Sequence, residues 1–138
     1  MADDAKPLPV RDLDSLPFWE GCARHELRAQ RCLDCGWFRW PPRPLCSRCH
    51  SWNAEWVTLP GTGTVLSFVE VHHATSLAFT DDVPYAIVEV ALDGSDDQVR
   101  LTSNLVDHDQ EHLRVGLPVQ VAFDEVTADV TLPRFRPA

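Results

Sequence analysis

Residues 32 to 49 constrain this chain more than any other stretch. They read Cys32-Leu33-Asp34-Cys35, then ten residues, then Cys46-Ser47-Arg48-Cys49. Two Cys-x-x-Cys turns at this separation are the pattern of a four-thiolate metal site, because each turn points two sulfurs at one ion. The excursion between them is long enough to bring the second turn back opposite the first. Two disulfides or four free thiols are the competing reading. Four thiolates in a tetrahedron suit Zn2+, with iron a less favoured occupant of the same sulfurs. All four positions are protein ligands, so none stays open for water or substrate, and the site is expected to be structural. In a ribbon too small to bury much surface, metal binding would supply on the order of 10 kcal/mol of folding energy. Gly36 fits a turn that needs a left-handed residue. His50 reads as an exposed neighbour of a site that is already full.

The 138 residues suffice for one domain or two very small ones. Five cysteines, four of them in metal spacing, point to a reducing compartment, and a cytoplasmic location is expected. No apolar run is long enough to span a membrane. The start, Met1 to Lys6, is polar and acidic and lacks the pattern of a secretory signal.

The net charge of −9 is uneven. Residues 1–60 carry eight basic and eight acidic groups, whereas residues 61–138 carry four arginines against thirteen acids. Between Arg24 and Arg48, six arginines stand against Glu26 and Asp34. The second half therefore argues against nucleic acid, whose binding is driven by phosphate neutralisation. The arginines of the first half could still meet a few phosphates, such as those of coenzyme A, or an acidic partner.

Three segments follow from the pattern. Residues 1–14 read as a flexible arm with Pro7 and Pro9. Residues 15–59 hold a short helix and the ribbon, with Ser15 as N-cap, Pro17 in the first turn, and Leu16, Phe18, Trp19 and Cys22 on one face. Leu27 to Arg31 alternates and enters the ribbon as a strand. Residues 60–138 change to a period of two after the Pro60-Gly61-Thr62-Gly63 turn. Strands are expected at Thr64–His73, with Val65, Val69 and Val71 on one side, at Tyr85–Leu92, at Val99–Val106 and at Pro118–Asp124. A last strand is expected between Val126 and Leu132, and a helical turn at Asp107–Leu113. The fold class is mainly β: an N-terminal helix and a rubredoxin-like zinc ribbon, then a five-stranded OB-fold barrel.

No catalytic set emerges from these residues. His108-Asp109-Gln110-Glu111-His112 matches the letters of a zinc-peptidase helix, but the segment is short and acidic and reads as solvated. Cys22 and His25 could form a thiolate–imidazole pair; a buried cysteine in an amphipathic turn is the simpler reading. His72, His73 and Tyr85 are the candidates for residues near a ligand at the barrel mouth. Phe18, Trp19, Trp37, Phe38, Trp40, Arg43 and Trp52 are more aromatic and basic than a small ribbon needs internally, and this is the composition of a partner interface.

From Pro17 to Pro137 the chain also resembles a known family. The matching stretches are Pro17-Phe18-Trp19-Glu20-Gly21, Cys32-x-x-Cys35-Gly36, Pro41-Pro42-Arg43 before Cys46-x-x-Cys49, Trp56 with Gly61-Thr62-Gly63-Thr64-Val65, Pro84-Tyr85, Gly116-x-Pro118-Val119 and Leu132-Pro133-Arg134-Phe135. The chain is similar to the acyl-CoA-associated zinc-ribbon/OB-fold family known as domain of unknown function 35. His50 stands where a glycine is common in it. The resemblance implies zinc at Cys32, Cys35, Cys46 and Cys49. It also implies a non-catalytic subunit in a hetero-oligomer, with acyl-CoA near the shared interface. The partner would be a thiolase-like enzyme, such as an aldolase of steroid side-chain degradation or an acyltransferase. An enoyl-CoA hydratase partner and an independent acyl-CoA-binding module are the alternatives. The chain has no room for a hydratase domain of its own, so it reads as a stand-alone subunit or an excised domain.

Overall fold

The computed structural model describes residues 5–138. The first four residues of the expected arm lie outside the described residues. Within the rest of the arm, Lys6 Nζ lies 2.6 Å from Asp82 Oδ2 and 5.7 Å from the centre of the Phe79 ring.

Helix α1 spans Leu16–Ala23 and carries Pro17 in its first turn, where a missing N–H costs nothing. Ser15 precedes it as expected but does not cap with its side chain. Instead its N–H and hydroxyl both donate to Asp12 Oδ1, at 2.8 and 2.7 Å, which lowers the Asp12 carboxyl pKa. After Ala23 the chain turns sharply. His25 takes φ 59°, and Glu26 N–H donates to Gly21 O at 2.8 Å. Gly21 is needed here, because a Cβ would stand 2.7 Å from the Arg28 side chain and 2.8 Å from Glu26 O.

Three antiparallel strands form the ribbon: β1 (Arg28–Cys32), β2 (Phe38–Arg39) and β3 (Ala54–Thr58), in the order β2-β1-β3. Five more form a barrel: β4 (Thr62–Val71), β5 (Tyr85–Leu92), β6 (Arg100–Leu105), β7 (Pro118–Glu125) and β8 (Thr131–Pro137). The barrel closes in the order β4-β5-β6-β8-β7, with β7 back beside β4 at Thr62–Thr64. β6 and β8 run parallel and share a single ladder pair, Leu105 with Phe135. This is the expected five-stranded OB-fold.

The alternation holds best on β5, where Ala86, Val88, Val90 and Leu92 are all buried. Two expectations need correction. A bulge between Val65 and Ser67 inserts one residue into β4 and reverses its faces. Val65 points into the core, whereas Val69 lies on the other side and is 53 % exposed. The last strand also starts later than expected. Thr127 forms a hairpin turn, accepting from the N–H groups of Asp129 and Val130 at its hydroxyl, and β8 then buries Thr131, Pro133 and Phe135. Pro133 argues against a strand when read locally. β8 tolerates it because its β6 side is almost unpaired.

One hydrophobic core runs through both parts. Phe18 and Cys22 of α1, Leu27, Ala29 and Phe38 of the ribbon, and Val65, Val90 and Phe135 of the barrel belong to it. The Phe38 N–H donates to Gln98 Oε1 of the barrel at 2.9 Å. Among the described residues, no helix is long and apolar enough to cross a membrane.

Candidate metal centre and its surroundings

The two knuckles are built alike. After the first pair, Gly36 N–H donates to Cys32 O at 3.0 Å with φ 79°; after the second, His50 N–H donates to Cys46 O at 3.0 Å with φ 61°. The ligand sulfurs Cys32, Cys35, Cys46 and Cys49 all lie within 4.8 Å of one another. Cys32 Sγ is 3.5 Å from Cys49 Sγ, and Cys35 Sγ is 3.6 Å from Cys46 Sγ. These are separate thiols, not disulfides. A tetrahedron with metal–sulfur bonds of about 2.3 Å has sulfur–sulfur edges of roughly 3.8 Å, so the donor set fits one metal ion. Among the described residues this is the one group of three or more such donors.

The electrostatics point the same way. The backbone N–H of Cys35 stabilises the Cys32 thiolate and brings its pKa down to about 6. The Cys49 N–H likewise lowers the Cys46 pKa, and Arg48 N–H lies 3.4 Å from the Cys46 sulfur. On Cys49 the Ser51 N–H favours the thiolate, but desolvation and the sulfurs of Cys32, Cys35 and Cys46 outweigh it and push the thiol up to about 12. Four thiolates cannot share this volume unless a cation neutralises them.

Side chains join the knuckles. Asp34 accepts from the Ser51 hydroxyl and, at 3.2 Å, from Asn53 Nδ2; both donors lower its pKa. Arg39, one of the six arginines between Arg24 and Arg48, does not face solvent: it is 2 % exposed, and its Nη groups donate to the carbonyls of Pro44, Ser51 and Asn53. Sequence gave no warning of this, because an arginine on a two-residue strand carries no burial pattern.

The expected interface divides. Phe18 and Phe38 are 5 % and 3 % exposed and belong to the core, so neither offers a surface to a partner. Sequence periodicity could not separate them from their neighbours, since each sits beside a half-buried tryptophan, Trp19 or Trp37. Trp52 is 73 % exposed, Arg43 is exposed, and Trp37 is half-buried with the Arg48 guanidinium 4.1 Å above its ring. Trp19 and Trp40 are half-buried and pack edge-on against Phe18, at 4.9 and 5.1 Å. With Pro42, Leu132 and Pro133 they line an open groove of 410 Å³ between α1, the ribbon and the barrel. A second groove of 610 Å³ is lined by Tyr85, Phe79, Ile87 and Arg134, and both grooves reach Ser103 and Asn104.

The three residues expected near a ligand do not come together. Tyr85 lines the second groove, but His72 and His73 are exposed outside it, with His72 Nε2 3.5 Å from Glu70. His112 ends a single 3-10 turn, Gln110–His112, and His108 precedes it, where a longer helical turn was expected. Cys22 is fully buried, and burial pushes its thiol up to about 12, so it is a core residue. His25 turns instead to the barrel, with Nε2 3.0 Å from Glu125 Oε1.

Comparison with known proteins agrees with this geometry. Residues 19–53 match the ChsH2 rubredoxin-like zinc ribbon domain and residues 56–124 the ChsH2 C-terminal OB-fold domain. The chain is 35 % identical over 133 residues to a probable enoyl-CoA hydratase alpha subunit of Thermomonospora curvata, covering 96 % of this chain and 40 % of that protein. It is 37 % identical over 120 residues to the 3-oxo-4,17-pregnadiene-20-carboxyl-CoA hydratase alpha subunit of Mycobacterium tuberculosis, covering 87 % and 37 %. The chain thus spans about two fifths of the length of these two relatives. In a solved Ltp2-ChsH2(DUF35) aldolase, one chain superposes with a TM-score of 0.83 at 34 % identity, covering 94 % of this chain and 98 % of that one. The chain belongs to the DUF35 family, with the rubredoxin-like zinc ribbon and OB-fold of ChsH2.

Proposed function

We propose that this chain is a non-catalytic, zinc-binding accessory subunit of an acyl-CoA-processing complex. Its partner is a thiolase-like aldolase or acyltransferase, with cleavage of a steroid side-chain acyl-CoA the leading case. The observation that carries this reading is the likeness, over nearly the whole length of both chains, to the DUF35 chain of an aldolase. Cys32, Cys35, Cys46 and Cys49 would hold zinc, which supplies structural crosslinking there and no reactive position. The ribbon presents Trp37, Arg43 and Trp52 to the partner, and Trp19 and Trp40 continue that surface along the 410 Å³ groove. The barrel helps shape the partner's acyl-CoA site. We place the complex in the cytoplasm, where thiols stay reduced.

Co-expression with a thiolase-like enzyme encoded nearby tests the reading. The two should co-purify, and the enzyme should lose activity without this chain. A partner that is fully active alone and does not co-purify defeats it. The second reading, an enoyl-CoA hydratase partner, is favoured by the two hydratase alpha subunits among the relatives. Parallel co-expression with a hydratase subunit distinguishes the two. Metal analysis of the purified chain should give one zinc per chain and no visible absorption of the kind iron thiolates show.

A further inference from the structure

The barrel has one weakly laddered seam. Between β6 and β8 the ladder is the single pair Leu105 with Phe135, and side chains add to the stitching. The Ser103 hydroxyl donates to Pro133 O at 2.5 Å, and Arg134 Nη1 donates to Asn104 Oδ1 at 2.7 Å. The two grooves meet along this seam, since Thr102, Ser103, Asn104 and Arg134 line both. The N-terminal arm runs over the same face: Lys6 lines the second groove and Val10 the first. One end of the arm is held by Lys6, whose Nζ lies 2.6 Å from Asp82 Oδ2 and 5.7 Å from the centre of the Phe79 ring. The other end is fixed by Asp12, which accepts from the N–H and hydroxyl of Ser15 just before α1. Between these ends Leu8 is 44 % and Val10 86 % exposed, so the middle of the arm skirts the grooves without filling them.

We propose that residues 5–14 are a strap that controls entry to these grooves, with Lys6 as its latch and the Asp12–Ser15 contact as its hinge. Closed, the strap stands at the mouth where an apolar group enters beside Trp19 and Trp40. The latch is an exposed ion pair with one cation–π contact. Each is worth little in water and the ion pair is screened by salt, so the strap opens readily. No described residue of the arm belongs to the hydrophobic core, so opening leaves the fold intact. The strap works in the chain alone, whichever enzyme is its partner.

Binding of the apolar, anionic dye anilinonaphthalene sulfonate to the full chain tests this. Lys6→Glu sets a carboxylate against Asp82 and should open the strap, raising dye affinity by about 3- to 10-fold. The added negative charge by itself repels the dye, so bulk electrostatics would act in the opposite direction. Lys6→Arg keeps the latch and should stay within about twofold of wild type. Linkage is reciprocal, so saturating dye should in turn free the arm. Amide relaxation should then show faster motion at Lys6, Leu8 and Val10, while the Ser103 and Asn104 amides shift. Equal or lower affinity in Lys6→Glu overturns the strap, as does bound dye that leaves the arm amides unchanged. Binding without shifts at Ser103 and Asn104, or no binding to any of the three proteins, overturns the grooves as the gated site.

Discussion

His25 and Glu125 join the two halves of the molecule: His25 Nε2 lies 3.0 Å from Glu125 Oε1, across one hundred residues of sequence. The same imidazole stacks on Phe123 of β7, 5.1 Å between ring centres and 16° from parallel. His25 reaches β7 because its own φ of 59° ends α1 with a sharp turn toward the barrel. The His25–Glu125 contact is exposed on both sides, so it is worth little by itself. Packing of the ring carries more. We expect His25→Ala to destabilise the zinc-loaded chain by about 1 kcal/mol, and Glu125→Gln by less than about 0.5 kcal/mol. Urea unfolding checks both, and equal losses would contradict the assignment to stacking.

Trp52 and Phe38 should separate partner binding from folding. Trp52→Ala removes a side chain that is 73 % exposed, so stability should hold within about 0.5 kcal/mol while partner capture weakens. Phe38→Ala opens a cavity at a site 3 % exposed and should cost about 3–5 kcal/mol. Thermal unfolding and partner pull-down on the same samples compare them.

His50 holds the left-handed position that Gly36 holds in the other knuckle, with φ of 61° and 79°. A side chain there is strained by about 1–3 kcal/mol. Glycine relieves the strain and gives part of it back through greater freedom of the unfolded chain. His50→Gly should therefore raise stability by about 1 kcal/mol without changing metal stoichiometry. A loss of stability would show that His50 makes a contact that outweighs its backbone cost.

Removing one ligand should couple metal, ribbon and partner. Cys35→Ser should release zinc and cost folding and partner binding together. In the wild-type chain, metal affinity should fall as pH falls, because protons compete for the four sulfurs. Zinc release followed with a chelator dye across the acid range measures this. A zinc-free Cys35→Ser chain that is folded and still activates its partner would refute the structural role.

Cys22 gives a prediction at the other end of the pH scale. Its thiol is fully buried and pushed from an ordinary 9.0 up to about 12 by desolvation. The folded state therefore binds this proton more tightly than the unfolded state. The resulting stability is complete below about pH 9 and is lost as pH rises toward about 12, at about 1.4 kcal/mol per pH unit. Cys22→Ala should flatten that decline in the zinc-loaded chain. Native Cys22 should also resist thiol reagents at pH 8 until the chain is unfolded.

Much of this was legible in the sequence because it rests on short-range spacing. The two Cys-x-x-Cys turns carry their own geometry, and the tetrathiolate cluster follows from them. The period-two run of β5 shows its buried face directly. Where spacing was interrupted, reading failed. The extra residue at the β4 bulge reversed the face of Val69, and the last strand, expected between Val126 and Leu132, runs instead from Thr131 through Pro133 to Pro137.

The sequence by itself determined that four thiolates meet, that a helix precedes them and that five barrel strands follow the ribbon, since each depends on residues within a few positions of one another. Only the tertiary structure decided which aromatic faces the core and which faces outward. Phe38 is buried within the core that α1, the ribbon and the barrel share, whereas Trp52 stays 73 % exposed. The fate of Arg39 was settled in the same way, by carbonyls from Pro44, Ser51 and Asn53 converging around a charge that would otherwise belong in water. Burial is a property of what the rest of the chain brings to a residue, and no local pattern contains it.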